Sequence, residues 1–199
     1  MSFTIKEKAS FTLKISNSKF IGVIYPYKNN FDEIKKDIKT EYTGAKHYCY
    51  AYVYDNAYKF SDDKEPEGTA GKPILNALTN DKLNRVCLFI VRYFGGTKLG
   101  KANLLKAYRD CAMETVKTVK KYEIVNAFVY KLELGYKEFD QLKKMSTKYD
   151  FELDEVNYDE KIKLNLLSKN KLDKNFFVLL KDVKILKESK KEMLIIAKD

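Results

Sequence analysis

The amino-acid sequence predicts an α+β protein built from two domains. Segments with alternating or continuous apolar residues, which are typical of strands, are interleaved with segments whose apolar residues recur at the helical period. The chain has 199 residues, 45% of them hydrophobic, which is enough for two cores of roughly 100 residues each. The basic segment Lys120-Lys121-Tyr122 separates the two halves, so we expect domains at 1–122 and 123–199.

The first half begins with a hairpin that turns at Asn17-Ser18 and continues into a helix with apolar residues on one face. Val86 to Tyr93 is a near-continuous apolar run, which indicates a strand covered on both faces. The predicted strands are 11–15, 20–25, 47–54, 58–60 and 86–93, and the predicted helices are 32–42, a short one from about 69, and 101–119.

The second half has the predicted order β-α-β-β-α-β, which is that of a ferredoxin-like domain. The strands are 125–134, 152–157 and 161–167, and the helices are 137–149 and 172–180. The segments 183–188 and 193–198 are either alternative candidates for the last strand or two strands that pair with each other.

Two features of composition bear on location. The N-terminus has no apolar core of a secretory signal, and the longest clean apolar run, Val86 to Val91, is far shorter than the ~20 residues that span a bilayer. The three cysteines lack a C-x-x-C spacing and are predicted to be buried thiols. We therefore expect a soluble, cytoplasmic protein with no membrane partner.

The formal charge of +10 is concentrated in the first half. Residues 1–124 hold 22 basic and 14 acidic groups, a net of +8, whereas residues 125–199 hold 16 and 14, a net of +2. A lysine-rich composition can reflect an AT-rich genome, but Arg85, Arg92 and Arg109, the only arginines, lie within 25 residues of one another. Arginine supplies a planar, forked donor, so the distribution favours an anionic partner for the first half.

Five of the eight glycines fall between Gly68 and Gly100, at two junctions where a loop enters a helix. The free N–H groups and the positive dipole end of a helix start form an anion site, although glycine also simply permits tight turns. The run Gly95 to Lys101 fits G-x-x-x-x-G-K, but Ala102 stands where a P-loop has Ser or Thr. Nucleotide hydrolysis is therefore not predicted there.

An acidic cluster, Asp62, Asp63 and Glu65, precedes the first glycine junction. Such carboxylates can hold a hard cation or do acid–base work. The plainer interpretation is charge pairing with Arg92 or Lys98 across the site.

His47 is the only histidine of the chain. Together with Cys49 it offers two zinc ligands on one face of a strand, whereas a structural zinc site needs four. A core or capping role is the preferred interpretation.

The strand at 47–54 carries a ladder of four tyrosines, Tyr48, Tyr50, Tyr52 and Tyr54. An exposed ladder would be a stacking platform for nucleic-acid bases. A packed ladder would bury the rings and leave only the hydroxyl groups exposed to solvent.

Four segments resemble the YigZ/IMPACT family: KFSDDKEPEGTAGKPIL (Lys59–Leu75), VRYFGGTKLGKANLLKAY (Val91–Tyr108), HYCYAY (His47–Tyr52) and SKFIG (Ser18–Gly22). The resemblance covers about residues 1–120, and the second half is similar to the C-terminal domain of the bacterial, YigZ-type members. It implies a two-layer N-terminal domain like the second domain of a small-subunit ribosomal protein. It also implies a ferredoxin-like C-terminal domain similar to one in elongation factor G.

The resemblance implies that the functional surface lies between Ser61 and Tyr108. The residues that match its two signatures, and that we expect to bind a ligand, are Asp62, Asp63, Glu65, Pro66, Gly68, Thr69, Gly71, Lys72, Pro73, Arg92, Tyr93, Phe94, Gly95, Gly96, Lys98, Leu99 and Gly100.

Eukaryotic members of this family regulate translation, and the related folds act on RNA or the ribosome. The leading hypothesis is accordingly a non-enzymatic, translation-associated regulator that binds RNA or the ribosome in a salt-dependent way. The alternatives are a metal-assisted enzyme acting on a phosphorylated or nucleotide substrate, and an adaptor that binds a protein partner. No catalytic residue, metal ligand or cofactor is assigned.

Overall fold

The computed structural model describes residues 2–146 and 148–196, and the chain divides into two compact units. Among the described residues, the first unit is 2–123 together with Ile195 and Ile196, and the second is Ile124–Leu194. Both helices and strands are present in each, so the predicted α+β class is confirmed.

The first unit is built on a five-stranded sheet. Its elements are β1 (Phe3–Thr4), β2 (Ala9–Ile15), β3 (Ser18–Pro26), α1 (Phe31–Glu41), β4 (His47–Tyr54), β5 (Ala57–Ser61), α2 (Gly71–Asn80), β6 (Val86–Tyr93) and α3 (Lys101–Lys117). The strand order is β2-β3-β6-β4-β5, so β6 is the central strand and is antiparallel to both β3 and β4.

Strand β6 is buried on both faces because helices cover both sides of the sheet. Leu88 and Ile90 belong to the core that contains the apolar residues of α2 and α3. Cys87 and Phe89 point the other way, into the core beneath α1. The sheet with α2 and α3 forms the two predicted layers, and α1 adds a helix on the opposite face because its Ile34 and Ile38 form an apolar stripe.

The tyrosine ladder of β4 packs beneath α1. All four rings belong to the edge of that core, and Phe31 of α1 lies 4.7 Å from the ring of Tyr50 and 5.5 Å from that of Tyr52. The four rings are partly buried, so the packing interpretation of the ladder is the one that the structure shows.

The second unit has the elements β7 (Tyr122–Leu134), α4 (Tyr136–Met145), β8 (Phe151–Asn157), β9 (Ile162–Ser168), α5 (Lys174–Val178) and β10 (Val183–Ile196). Its strands are ordered β10-β7-β9-β8, with β9 antiparallel to both neighbours, as in a ferredoxin-like sheet.

Several boundaries differ from the sequence prediction, and strand β1 and the end of α4 at Met145 are among the differences. Helix α5 has five residues, and it starts at Lys174 because the side chain of Asp173 accepts from the N–H of Phe176 and caps the helix. The competing segments of the last strand are one continuous β10, and residues 197 and 198 of that prediction lie outside the described residues. Strand β7 begins at Tyr122, which pairs with Thr4, whereas the predicted strand begins at 125. None of the described helices is long and apolar enough to cross a membrane.

Candidate anion-binding site

Arg92 is a buried cation at the end of the central strand. The alternation of β6 points it to the same face as Leu88 and Ile90, and it is only 5% exposed. In register with it lie Phe20 on β3 and His47 on β4. The guanidinium carbon is 5.4 Å from the ring centre of Phe20, a cation–π contact that favours the charged group in an apolar setting.

The guanidinium of Arg92 is paired with a buried carboxylate from the acidic loop. Its Nη1 donates to Oε1 of Glu65 at 2.6 Å, and the hydroxyl of Tyr108 donates to the same oxygen at 2.9 Å. Burial raises the pKa of Tyr108, so this hydroxyl remains a donor at neutral pH. Within the described residues, no acceptor meets the buried Nε of Arg92.

Asp62 caps helix α2. Its carboxylate accepts hydrogen bonds from the backbone N–H groups of Gly68 at 3.0 Å, Ala70 at 2.9 Å and Gly71 at 2.8 Å. These contacts satisfy donors at the start of the helix and place a negative charge at its positive end. The first glycine junction is therefore closed to an external anion by the chain's own carboxylate.

Asp63 and His47 hold the acidic loop on the sheet. The carboxylate of Asp63 accepts from the backbone N–H of Tyr48 at 2.6 Å, and its carbonyl lies 2.8 Å from Nδ1 of His47. His47 is buried, which agrees with a core role. In the described part of the chain, no group of three histidine, cysteine or acidic side chains is arranged to hold a metal ion.

Helix α3 begins differently from α2. Its N-cap is Gly100, which has no side chain and adopts φ +77° and ψ 157°, a conformation essentially restricted to glycine. The first hydrogen bond of the helix is from Leu104 N to Gly100 O, and no hydrogen bond among the described residues satisfies the N–H of Lys101 or Ala102. The second glycine junction thus has the free donors of an anion site.

Gly95 brings this second junction against the β2–β3 turn. A Cβ atom there would lie 2.0 Å from the backbone of Asn17, and the N–H of Gly95 donates to the hydroxyl of Ser18 at 3.3 Å. Only glycine allows this approach, which directs the following loop over Arg92.

A cavity of about 390 Å³ opens between the two loops, and we call it the Arg92 pocket. Four cations line it against one carboxylate, Glu65, which gives a net charge of +3 with His47 neutral. Its lining residues are Lys46, His47, Glu65, Pro66, Arg92, Phe94, Lys98, Leu99, Gly100, Lys101 and Leu104.

The structure brings together some of the predicted site residues and separates others. Those that line the Arg92 pocket are Glu65, Pro66, Arg92, Phe94, Lys98, Leu99 and Gly100. Gly68, Lys72 and Pro73 line a different cavity of about 260 Å³ beside α2 and α3.

Gly96 adopts a positive φ of +87° in the second glycine junction, and three other predicted residues have local contacts. Tyr93 packs with the residues beneath α1 and donates its hydroxyl to the carbonyl of Thr43 at 3.1 Å. Thr69 is fully buried and donates to the carbonyl of Pro66. Gly71 lies against the backbone of Ser61.

Sequence reasoning did not assign Lys46 to the site. Its N–H donates to the carbonyl of Arg92 at 3.1 Å, and its side chain lies 5.1 Å from the ring of Phe94. The available signal was the strand predicted at 47–54, but only the pairing of β4 with β6 places Lys46 beside Arg92.

The fold and the pocket define a two-unit α+β protein with a basic pocket in its first unit. Residues 16–116 match the family model of the Impact N-terminal domain. The chain belongs to the IMPACT family.

Relatives named as IMPACT family members occur in several bacteria. YvyE of Bacillus subtilis is 31% identical over 165 residues, 80% of this chain and 76% of the relative. The Haemophilus influenzae member is 34% identical over 134 residues, and the match spans 65% of each chain. YigZ of Escherichia coli is 41% identical over 78 residues, 37% of this chain and 38% of the relative.

A solved structure described as that of a hypothetical protein has a similar fold. It superposes with a TM-score of 0.60 and 24% identity and covers 84% of both chains. This likeness shows the fold alone.

Proposed function

We propose that this IMPACT-family chain is a non-catalytic, translation-associated regulator that binds RNA, free or within the ribosome, through the Arg92 pocket. The observation that carries the proposal is the convergence of three exposed lysines and a buried arginine on the uncapped start of α3. Free backbone N–H groups at a helix start and clustered cations are the groups that bind phosphate.

The charge of the pocket favours a phosphate-rich polymer. Lys46, Lys98 and Lys101 are exposed, so they are available to the phosphates of a bound strand. Glu65 already neutralises one cation, Arg92, inside the pocket, which leaves the three lysines to meet the ligand. The net +8 of residues 1–124 adds a long-range attraction of the same sign.

The test compares two double variants that remove the same charge from the first unit. Lys98→Ala with Lys101→Ala removes two pocket lysines, and Lys35→Ala with Lys36→Ala removes two exposed lysines of α1. Fluorescence anisotropy with single-stranded RNA gives the dissociation constant between about 50 mM and 200 mM salt.

The pocket variant should bind more weakly, and the slope of log K against log salt should become shallower by about 1.4, since each lost phosphate contact of a single strand contributes about 0.7. The α1 control should keep the native slope. Equal slopes in the two variants would refute the proposal.

Arg92→Ala is a poor test of binding, because the side chain is buried and paired with Glu65. Its removal would destabilise the first unit and weaken binding indirectly.

The alternative of a metal-assisted enzyme receives no support from the acidic cluster. The carboxylates of Asp62 and Asp63 accept hydrogen bonds from backbone N–H groups, and that of Glu65 pairs with Arg92. A thermal-shift screen with nucleotides and Mg²⁺ or Mn²⁺ tests this alternative directly. It requires a stabilisation that Asp63→Ala removes.

A further inference from the structure

We infer that the Arg92 pocket takes a single nucleotide unit, with its phosphate at the start of α3 and its base against Phe94. This inference deepens the proposed function and rests on it: the RNA that binds is an unpaired strand or end, whose base is free to enter the pocket. A free mononucleotide carries the same phosphate and base.

The phosphate position is defined by two independent features. The first is the start of α3, where Gly100 provides no capping side chain and Lys101 adds a cation. The second is Arg92, which is 95% buried, lines the pocket, and has an Nε with no acceptor among the described residues. Nη1 of Arg92 is already paired with Glu65, so Lys98 and Lys101 supply the unpaired cations beside this position.

The lining of the pocket also includes apolar and aromatic side chains. Phe94 is 39% exposed although it is a large hydrophobic residue, and Leu99 and Leu104 also line the pocket. Two cations lie over the ring of Phe94: the buried guanidinium of Arg92, 5.4 Å from its centre, and the exposed ammonium of Lys46, 5.1 Å from it. A stacked base takes the place of the exposed Lys46. An aromatic ring beside a phosphate site is the arrangement on which an unpaired base stacks.

The volume of the pocket accommodates one nucleotide unit. The pocket measures about 390 Å³, and cavities that hold small ligands measure about 300 to 1,000 Å³. A base that is paired in a duplex presents only its edges, so its face cannot reach Phe94 unless the base leaves the stack. The pocket therefore selects unpaired nucleotides.

The experiment compares two single-stranded RNAs with the same number of phosphates, one intact and one with its bases removed at central positions. The intact RNA should bind the native chain more tightly. Phe94→Ala should weaken intact RNA by about 5-fold to 150-fold and leave abasic RNA unchanged, since stacking is lost and the phosphate contacts remain. The matched control is Phe60→Ala, because Phe60 is 40% exposed on β5 and does not line the pocket.

The outcomes separate the two proposals. Equal binding of intact and abasic RNA by the native chain overturns the nucleotide inference and leaves the proposed function standing. Absence of RNA binding overturns the proposed function, and adenosine monophosphate and ribose 5-phosphate then test the pocket without a strand. If adenosine monophosphate binds more tightly than ribose 5-phosphate, and Phe94→Ala removes the difference, the pocket takes a free nucleotide. Equal binding of the two compounds overturns the nucleotide inference.

If Phe94→Ala unfolds the first unit, Phe94→Leu replaces it. Leucine keeps the apolar contact and removes the stacking ring, so selectivity for intact RNA should still fall. Unchanged selectivity in a folded Phe94→Leu variant contradicts the inference.

Discussion

The buried ion pair between Arg92 and Glu65 predicts a large effect of Glu65→Ala on stability. The side chains are 6% and 4% exposed, so the substitution leaves a guanidinium in the interior without its counter-charge. Breaking such a pair costs about 3 to 5 kcal/mol, and the hydroxyl of Tyr108 loses an acceptor at a further cost of about 1 to 3 kcal/mol that partly overlaps. The free energy of unfolding of the first unit should fall by about 5 kcal/mol.

A second substitution separates charge from packing. Arg92→Met in the Glu65→Ala background removes the uncompensated charge and keeps apolar volume beside Phe20. The double variant should therefore recover about 2 kcal/mol or more relative to Glu65→Ala alone. Asp81→Ala serves as the control, because its ion pair with Lys121 lies at the surface and should contribute less than about 1 kcal/mol.

The assay is native-state amide hydrogen exchange of peptides from β6, whose residues 86–91 are buried at the centre of the sheet. It reports the unfolding of this unit even when the second unit unfolds separately. A loss of 5 kcal/mol accelerates global exchange by about three to four orders of magnitude. An effect of Glu65→Ala no larger than that of Asp81→Ala would refute the reasoning.

Three further predictions follow from local geometry. Gly100→Ala should cost about 1 to 3 kcal/mol in urea unfolding, because alanine is strained at φ +77° and ψ 157°; an unchanged midpoint would contradict this. The hydroxyl of Tyr25 and the ammonium of Lys8 lower the pKa of Asp37 below 3.8, so this group stabilises the fold above its ordinary pKa and the contribution is lost as the pH falls through the lowered value. Asp37→Asn should therefore lose at most about 1 kcal/mol near pH 7 and progressively less as the pH is lowered in acid and urea titrations, and a loss that does not change with pH would contradict it. Burial raises the pKa of Cys111 to about 12, and all three cysteines are buried, so a thiol-specific disulfide reagent should react at about pH 8 only after denaturation; fast reaction of the native protein would contradict this.

Much of the fold could be predicted because its signals are periodic along the chain. The strict alternation of β4 and the apolar run of β6 identify the strands and their covered faces, and the stripe of α3 identifies the long helix. The order of helices and strands in the second half was sufficient to predict its ferredoxin-like arrangement.

The candidate site was less predictable because it depends on contacts between distant residues. Glu65 and Arg92 are 27 positions apart, and Glu65 and Tyr108 are 43 apart. The sequence places three carboxylates in one loop, but only the folded chain distinguishes the cap of α2, Asp62, from the counter-ion, Glu65. The two glycine junctions look equivalent in sequence, whereas in the structure one is capped by a carboxylate and the other is not.

The most direct test of the account is to locate the RNA on the protein. Single-stranded RNA that contains 4-thiouridine is cross-linked to the native chain by light, and the modified peptides are identified by mass spectrometry. The account predicts cross-links within 92–104, with Phe94 as the principal site, and their loss at high salt. Cross-links confined to α1 or to the second unit would contradict it.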